Sequence, residues 1–113
     1  MLRKSRSAGA RRQSHAEVFA ALGDQTRLAL VSRLSNGKRH SISQLTEGSK
    51  LTRQAITKHL RVLEGVGIVH GVRAGRESLF EFDPEPLEDA REYLDIVSSQ
   101  WDDALTRLKS FVE

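Results

Sequence analysis

The sequence predicts a mainly helical α+β domain with five helices and one two-stranded β-hairpin. Apolar residues recur at helical spacing in several separate segments. One stretch of β-branched and aromatic residues, 69–82, is divided by a glycine-containing turn. With 113 residues, of which 38% are hydrophobic, the chain has the size of one ordinary domain with one modest core.

The N-terminal segment is basic and poor in apolar residues. Residues 1–13 contain five arginines and lysines and no acid, so we expect a disordered arm there. Such an arm either touches the phosphates of a nucleic acid or is a solvated tail. A single domain is then expected over residues 14–113.

Two scaffold helices are expected next. The first ends at Gly23, and Asp24 caps the second, which ends at Asn36-Gly37. One face of the first helix is expected to hold His15, Val18, Phe19 and Leu22, and the apolar positions of the second are Leu30, Val31 and Leu34.

Residues 41–66 are predicted to form two short helices joined by a tight turn. After a short edge strand at 40–42, Ser43 is expected to cap a helix that runs to about Gly48. A three-residue link, 49–51, leads to Thr52, which is expected to cap the next helix. This spacing is typical of a helix-turn-helix, in which the second helix enters the DNA major groove.

The second of these helices has one apolar and one basic face. Ile56, Leu60 and Leu63 form a stripe at helical period, and none of the residues opposite the stripe is acidic. Arginine, glutamine, threonine and lysine are side chains that contact bases and phosphates. We therefore predict a DNA recognition helix over residues 52–66; the alternative is an ordinary surface helix. The residues of the basic face are Arg53, Gln54, Thr57, Lys58 and Arg61.

The β-hairpin over residues 69–82 directly follows this helix, in the position of a wing. Its inward face is expected to hold Val72 and Leu79, with Phe80 or Phe82. Arg73 and Arg76 flank the tip of the hairpin, where guanidinium groups can straddle a phosphate backbone or enter a minor groove. The alternative role of the two arginines is solubility.

A long terminal helix is predicted from Leu87, after the break at Asp83-Pro84-Glu85-Pro86. Its apolar residues are spaced alternately by three and four. A helix of about 26 residues spans about 39 Å, more than so small a domain can cover. We therefore expect a two-fold homodimer built on this helix, with Trp101 near the centre of an interface that includes Leu94, Val97, Trp101, Leu105 and Leu108.

The charge is divided along the chain. Residues 1–83 carry 15 Lys and Arg against 7 Asp and Glu, whereas residues 84–113 carry 3 against 8. The basic part favours nucleic acid as the partner. The chain has no cysteine, hence neither disulfide nor thiolate metal site, and no apolar run long enough for a membrane span or signal peptide, which favours a soluble cytoplasmic protein.

Three sequence blocks in this order resemble the ArsR (arsenical-resistance repressor) family of winged helix-turn-helix transcription factors. They are residues 22–27 (LGDQTR), residues 57–63 (TKHLRVL) and residues 73–78 (RAGRES), and the resemblance covers about residues 14–113. The terminal run 101–109 is similar to family members whose last helix pairs across a dimer. The resemblance implies a homodimeric repressor that binds an operator of two-fold symmetry at its own promoter and releases it on a signal.

The usual metal sites of the family are absent from the sequence. Metal-sensing members carry a Cys-x-Cys pair where this chain has Ser43-Gln44-Leu45, and others use ligands that include histidine on the terminal helix, which has none here. The four histidines show no chelating spacing, so we predict no metal, no cofactor and a regulator that does not respond to metals. His59 is predicted to be structural or to face DNA phosphates, and we include it among the DNA-binding residues.

Other classes of function fit less well. An enzyme is disfavoured because the chain has neither a glycine-rich phosphate loop nor a nucleophile constellation. RNA binding is disfavoured because a helix cannot enter the A-form major groove. The remaining alternative is a winged-helix module or co-regulator that binds protein and has no operator of its own, for which a neutral or acidic recognition face would be expected.

Overall fold

The computed structural model describes the backbone of residues 8–112 and the side chains of residues 14–112. This part of the chain forms five α-helices and a three-stranded antiparallel sheet with strand order β1-β3-β2, which confirms the predicted fold class. No helix among the described residues is long and apolar enough to cross a membrane. The elements are α1 (Ala8–Leu22), α2 (Gln25–Leu34), β1 (His40–Ser41), α3 (Ile42–Thr46), α4 (Arg53–Gly65), β2 (Val69–Ala74), β3 (Glu77–Phe82) and α5 (Glu85–Val112).

Helix α1 begins at Ala8, inside the segment that we expected to be a disordered arm. The prediction placed residues 8–13 in the arm, whereas their backbone is helical. Alanine and arginine, which are frequent there, have high helix propensity, and they extend a helix whose later residues Val18 and Ala21 are buried. Residues 1–7 lie outside the described residues, and a disordered arm there stays a prediction.

The core lies where α2, α3 and α4 meet the sheet. The predicted stripe of α4, Ile56, Leu60 and Leu63, is confirmed: each residue is at most 1% exposed. Because these three residues fix how α4 is rotated about its axis, the basic residues of the helix must face outward. The fully buried large side chains are Leu34, Leu45, Ile56, Leu60, Leu63, Ile68 and Val69.

The hairpin β2–β3 forms as predicted, but it turns its other face to the core. Val69 pairs with Phe82 and Gly71 with Phe80, and these pairs share the face that carries the buried Phe80. Val72 and Leu79 pair one position further along, so they lie on the opposite face and are only half-buried. The predicted inward positions of Val72 and Leu79 are therefore wrong, because side chains alternate along a strand.

Helix α3 is capped by Ser41, not by Ser43 as predicted. The Ser41 hydroxyl accepts a hydrogen bond from the Gln44 N–H (3.1 Å), and the Gln44 side chain accepts one from the Ser41 N–H (2.8 Å). This reciprocal pair is a capping box. Because α3 starts and ends early, the connection to α4 spans residues 47–52 and turns at Gly48, which has a φ of 74°.

Arg33 of α2 holds the C-terminal end of α3. Its Nη1 donates to the Leu45 carbonyl (2.8 Å) and its Nη2 to the Gln44 carbonyl (2.9 Å). Carbonyls in the last turn of a helix lack intrahelical donors and form the negative end of its dipole, so a cation stabilises them. The two hydrogen bonds fix α3 against α2.

Replacing Ser41 by Ala should lower the free energy of unfolding by about 1 kcal/mol, because the Gln44 N–H loses the hydroxyl that accepts its hydrogen bond. Ser43→Ala is the matched control, and it should change stability by less than about 0.5 kcal/mol because Ser43 is exposed within the first turn. Urea denaturation followed by circular dichroism measures both variants. Equal destabilisation by both substitutions would contradict the assignment of the cap.

Candidate nucleic-acid interface

The outer face of α4 carries four of the predicted basic-face residues in exposed positions. Thr52 caps the helix, its hydroxyl accepting a hydrogen bond from the Ala55 N–H (3.1 Å). The cap fixes the first turn of α4, whose side chains would enter a groove first. The exposed residues of the face are Arg53, Gln54, Lys58 and Arg61.

Thr57 lies at the edge of this face and is half-buried. Its hydroxyl donates to the Arg53 carbonyl one turn earlier (2.7 Å), so the hydroxyl proton is already committed. The oxygen lone pairs and the methyl group remain for a partner. Thr57 can therefore accept a hydrogen bond from a base or contact a thymine methyl group.

His59 lies on another side of α4, away from the exposed face. Its side chain is only 23% exposed, and its Nδ1 lies 3.2 Å from Nη1 of Arg27 and 3.8 Å from the Asp24 carboxylate. This position ties the recognition helix to the start of α2. It favours the structural role over the predicted contact with phosphates.

Asp24 and Arg27 complete this junction. The Asp24 carboxylate accepts the Arg27 N–H (3.0 Å), as predicted for the cap of α2, and this hydrogen bond is the main cause that holds the pKa of Asp24 below its ordinary value. The Arg27 guanidinium also donates to the carbonyls of Ala20 and Ala21 at the end of α1. One arginine thus joins the end of α1 to the recognition helix.

Glu64 is the one acidic residue within α4 (Arg53–Gly65). One carboxylate oxygen accepts a hydrogen bond from Nη1 of Arg61 (2.9 Å), and the other accepts the backbone N–H of Gly71 in β2 (3.3 Å). Glu64 therefore links the recognition helix, the wing and a predicted DNA-binding side chain. Our sequence interpretation missed it, although an isolated acid on a basic helix was a visible signal.

The tip of the wing extends past β1, which pairs only with Leu79 and Phe80 of β3, and both predicted arginines are exposed near this tip. Arg73 pairs with Ser78 across the hairpin, and Arg76 sits in the turn beside Gly75, which has a φ of 62°. Glycine adopts this left-handed conformation without steric cost, which explains the tight turn. Both arginines therefore lie near the tip of the same hairpin.

The terminal helix α5 is 28 residues long, which corresponds to about 42 Å. Its first turns pack on α1, where Ala90 is buried and Tyr93 stacks on His15 with ring centroids 4.9 Å apart. Further along, the stripe loses its cover: Val97 is half-buried and Trp101 is 66% exposed. The exposed stripe residues of the predicted interface are Leu94, Trp101, Leu105 and Leu108.

The histidines are not grouped in a way that would hold a metal ion. Within residues 14–112, no cluster of three or more His, Cys, Asp or Glu side chains has suitable geometry. His40 contacts the Lys38 carbonyl (2.9 Å), and His70 contacts the Asp83 carboxylate (2.8 Å). Strand β3 separates the strands that carry these two histidines.

Comparisons with known proteins agree with this geometry. A family model described as a helix-turn-helix domain matches residues 22–72. The uncharacterized HTH-type transcriptional regulator YuzN of Bacillus subtilis (strain 168) is 38% identical over 78 residues, which cover 64% of this chain and 85% of that protein. The HTH-type transcriptional repressor SmtB of Mycobacterium tuberculosis is 30% identical over 89 residues, 79% of this chain and 64% of that protein.

A solved structure is similar over nearly the whole chain. The ArsR-like transcriptional regulator from Rhodococcus sp. RHA1 superposes with a TM-score of 0.78 at 34% sequence identity, covering 90% of this chain and 95% of that one. Sequence and structure thus point to the same group of proteins. The chain belongs to the ArsR family of winged helix-turn-helix transcriptional regulators, which bind DNA.

Proposed function

We propose that the protein is a homodimeric transcriptional repressor that reads an operator with α4, contacts phosphates with its wing and does not respond to metals. The observation that carries the proposal is the outward face of α4. Its apolar stripe is fully buried, and the opposite face therefore presents basic and amide side chains to the solvent. The recognition helix of the partner protomer would bind the other half of a two-fold operator.

The first turns of α4 are assigned to bases. Arg53, Gln54 and Thr57 lie near the N-terminus of the helix, which points into the groove in helix-turn-helix proteins. Lys58 and Arg61 are set further along, and with the cap residue Thr52 they are assigned to phosphates. His59 is left out of this set because its ring faces Arg27 and Asp24.

The dimer is assigned to α5. Large apolar side chains remain uncovered along the stripe for about three turns beyond the contact with α1, and single-chain proteins rarely leave such a continuous patch in water. The same stripe on a second copy of the chain would cover these side chains, because a two-fold interface brings the same surface patch of both protomers together.

Repression is supported by the relative SmtB, which is named as a repressor. A dimer bound across a promoter blocks transcription, and we propose the promoter of the protein's own gene as the target. Footprinting of the DNA upstream of that gene tests the proposal, with unrelated DNA of equal length as the control. Protection of one symmetric site is expected; equal binding to both DNAs would contradict sequence-specific regulation.

Metals and oxidants should leave operator binding unchanged. A zinc or cadmium switch needs about four thiolate or imidazole ligands, and the chain has no cysteine. To release the operator, a metal must also bind the DNA-free conformation of the protein more tightly than the DNA-bound conformation. The difference must be several kcal/mol, roughly 5.5 for a complete shift. Titration with zinc, cadmium, copper or peroxide is expected to change operator affinity by less than about threefold, which corresponds to less than about 1 kcal/mol. Reversible release of a hundredfold or more, abolished by replacing one histidine, would contradict this.

Arg76→Ala should weaken binding to all DNA alike, because a guanidinium at the tip of the wing neutralises a phosphate. The plot of log affinity against log salt should become flatter by about 0.9 for each phosphate that is no longer neutralised, which is one per protomer. Arg91→Ala removes the same charge from an exposed position on α5 and is the matched control. An unchanged slope for Arg76→Ala would show that the wing does not touch DNA.

A further inference from the structure

Glu64 has a fixed position between the recognition helix and the wing. Strand β2 lies at the edge of the sheet, and its Gly71 N–H donates to the Glu64 carboxylate instead of to another strand. A Cβ atom at position 71 would lie 3.3 Å from that carboxylate oxygen and 3.9 Å from the Phe80 ring. The absence of a side chain at Gly71 thus leaves room for the carboxylate.

Arg61 forms an ion pair with this carboxylate and is the more exposed partner of the pair. The Arg61 side chain is 68% exposed, whereas that of Glu64 is 32% exposed and makes a second hydrogen bond. When the pair separates, the guanidinium moves and the carboxylate stays with the wing. The pair is also nearly neutral as a unit, and only a cation that neutralises a phosphate releases counterions from DNA.

We infer that Glu64 increases the sequence specificity of the protein by withholding Arg61 from random DNA. The inference rests on the proposed function and deepens it. In a loosely docked complex, Arg61 stays paired with Glu64 and contributes nothing to affinity. In the closely fitted operator complex, a phosphate comes near enough to draw the guanidinium away, so Arg61 binds a phosphate only at the correct site.

Glu64→Gln tests this directly, because glutamine keeps the shape and one acceptor oxygen for the Gly71 N–H but loses the charge. Affinity for random DNA should rise by about three- to tenfold, with a salt slope steeper by about 0.9 per protomer. Operator affinity should rise less, so the ratio of specific to random binding should fall about threefold or more. Fluorescence anisotropy with an operator duplex and a scrambled duplex, each over a series of salt concentrations, gives the affinity and the salt slope for both DNAs.

Two further variants isolate the role of Arg61. In an Arg61→Ala background, adding Glu64→Gln should leave the affinity and salt slope of Arg61→Ala unchanged, because there is no guanidinium to release. Glu47→Gln removes an equal charge from an exposed position before α4 and should give no steeper slope. Melting temperatures of all variants identify any that fail to fold, and Glu64→Gln is expected to melt near the parent protein.

The inference is overturned if folded Glu64→Gln binds random DNA with the same salt slope as the parent protein. It is also overturned if Glu64→Gln still increases DNA affinity in the Arg61→Ala background. Either result leaves salt-dependent binding by the parent protein intact and therefore leaves the proposed function standing. Failure of the parent protein to bind either duplex would instead overturn the proposed function, and the inference with it.

Discussion

Replacing Trp101 by Ala should shift the monomer–dimer equilibrium towards the monomer by two orders of magnitude or more. Truncation of a buried tryptophan costs about 3–5 kcal/mol, and every 1.4 kcal/mol is about tenfold in Kd. Trp101 lies in the middle of the uncovered stripe and is 66% exposed in the single chain, so a dimer on α5 would bury it. Sedimentation equilibrium measures the change in Kd.

The fold of the single chain should survive this substitution, because Trp101 is outside the core. Ile96→Ala is the matched control: Ile96 is also large and exposed on α5, but it lies off the stripe. It should leave the dimer intact. DNA affinity should fall with Trp101→Ala only, since two linked recognition helices bind far more tightly than one. A dimer of unchanged stability after Trp101→Ala would exclude α5 as the interface.

Replacing Gln54 by Ala should cost about 1–3 kcal/mol on the operator and little on random DNA. Glutamine can make two hydrogen bonds to an adenine edge, and such pairs discriminate between bases by that amount. Gln54 is exposed in the first turn of α4, opposite the buried stripe. Arg53→Ala should behave in the same way. Anisotropy titrations with operator and scrambled duplexes measure both affinities.

Lys58→Ala is the matched comparison for Gln54. Lys58 lies one turn further along the same exposed face, and since it is assigned to a phosphate, its replacement should weaken binding to both duplexes equally. The salt slope of Lys58→Ala should become flatter, whereas that of Gln54→Ala should not. Equal weakening on both duplexes for Gln54→Ala would reassign Gln54 to the DNA backbone.

The sequence by itself determined the elements whose signals are local. The stripe of Ile56, Leu60 and Leu63 repeats at helical period, so it defined both the helix and the face that must be buried. The turn at Gly75 between two β-rich runs defined the wing, and the break before α5 defined the terminal helix. These signals suffice because hydrophobic periodicity and turn chemistry act over a few residues.

The cap of α3 follows a sequence signal that our interpretation missed. Ser41 is followed three residues later by Gln44, which is the spacing of a capping box, whereas Ser43 is followed at that distance by Thr46. The pairing of β1 with β3 ends the strand at Ser41, so the helix begins at once. The choice of face in the hairpin was decided by which strand register brings Phe80 onto the core.

The contacts that shape the DNA-binding face were decided only by the tertiary structure. Arg27 and His59 are 32 residues apart in the chain, and nothing in the local pattern of either one indicates the other. Glu64 and Gly71 meet because the wing folds back along the recognition helix, which makes an apparently solvated acid a constraint on Arg61. Local patterns determine which face of a helix is buried. The contacts that a side chain makes with other elements depend instead on how whole helices and strands pack, which is set by the shape of the shared core.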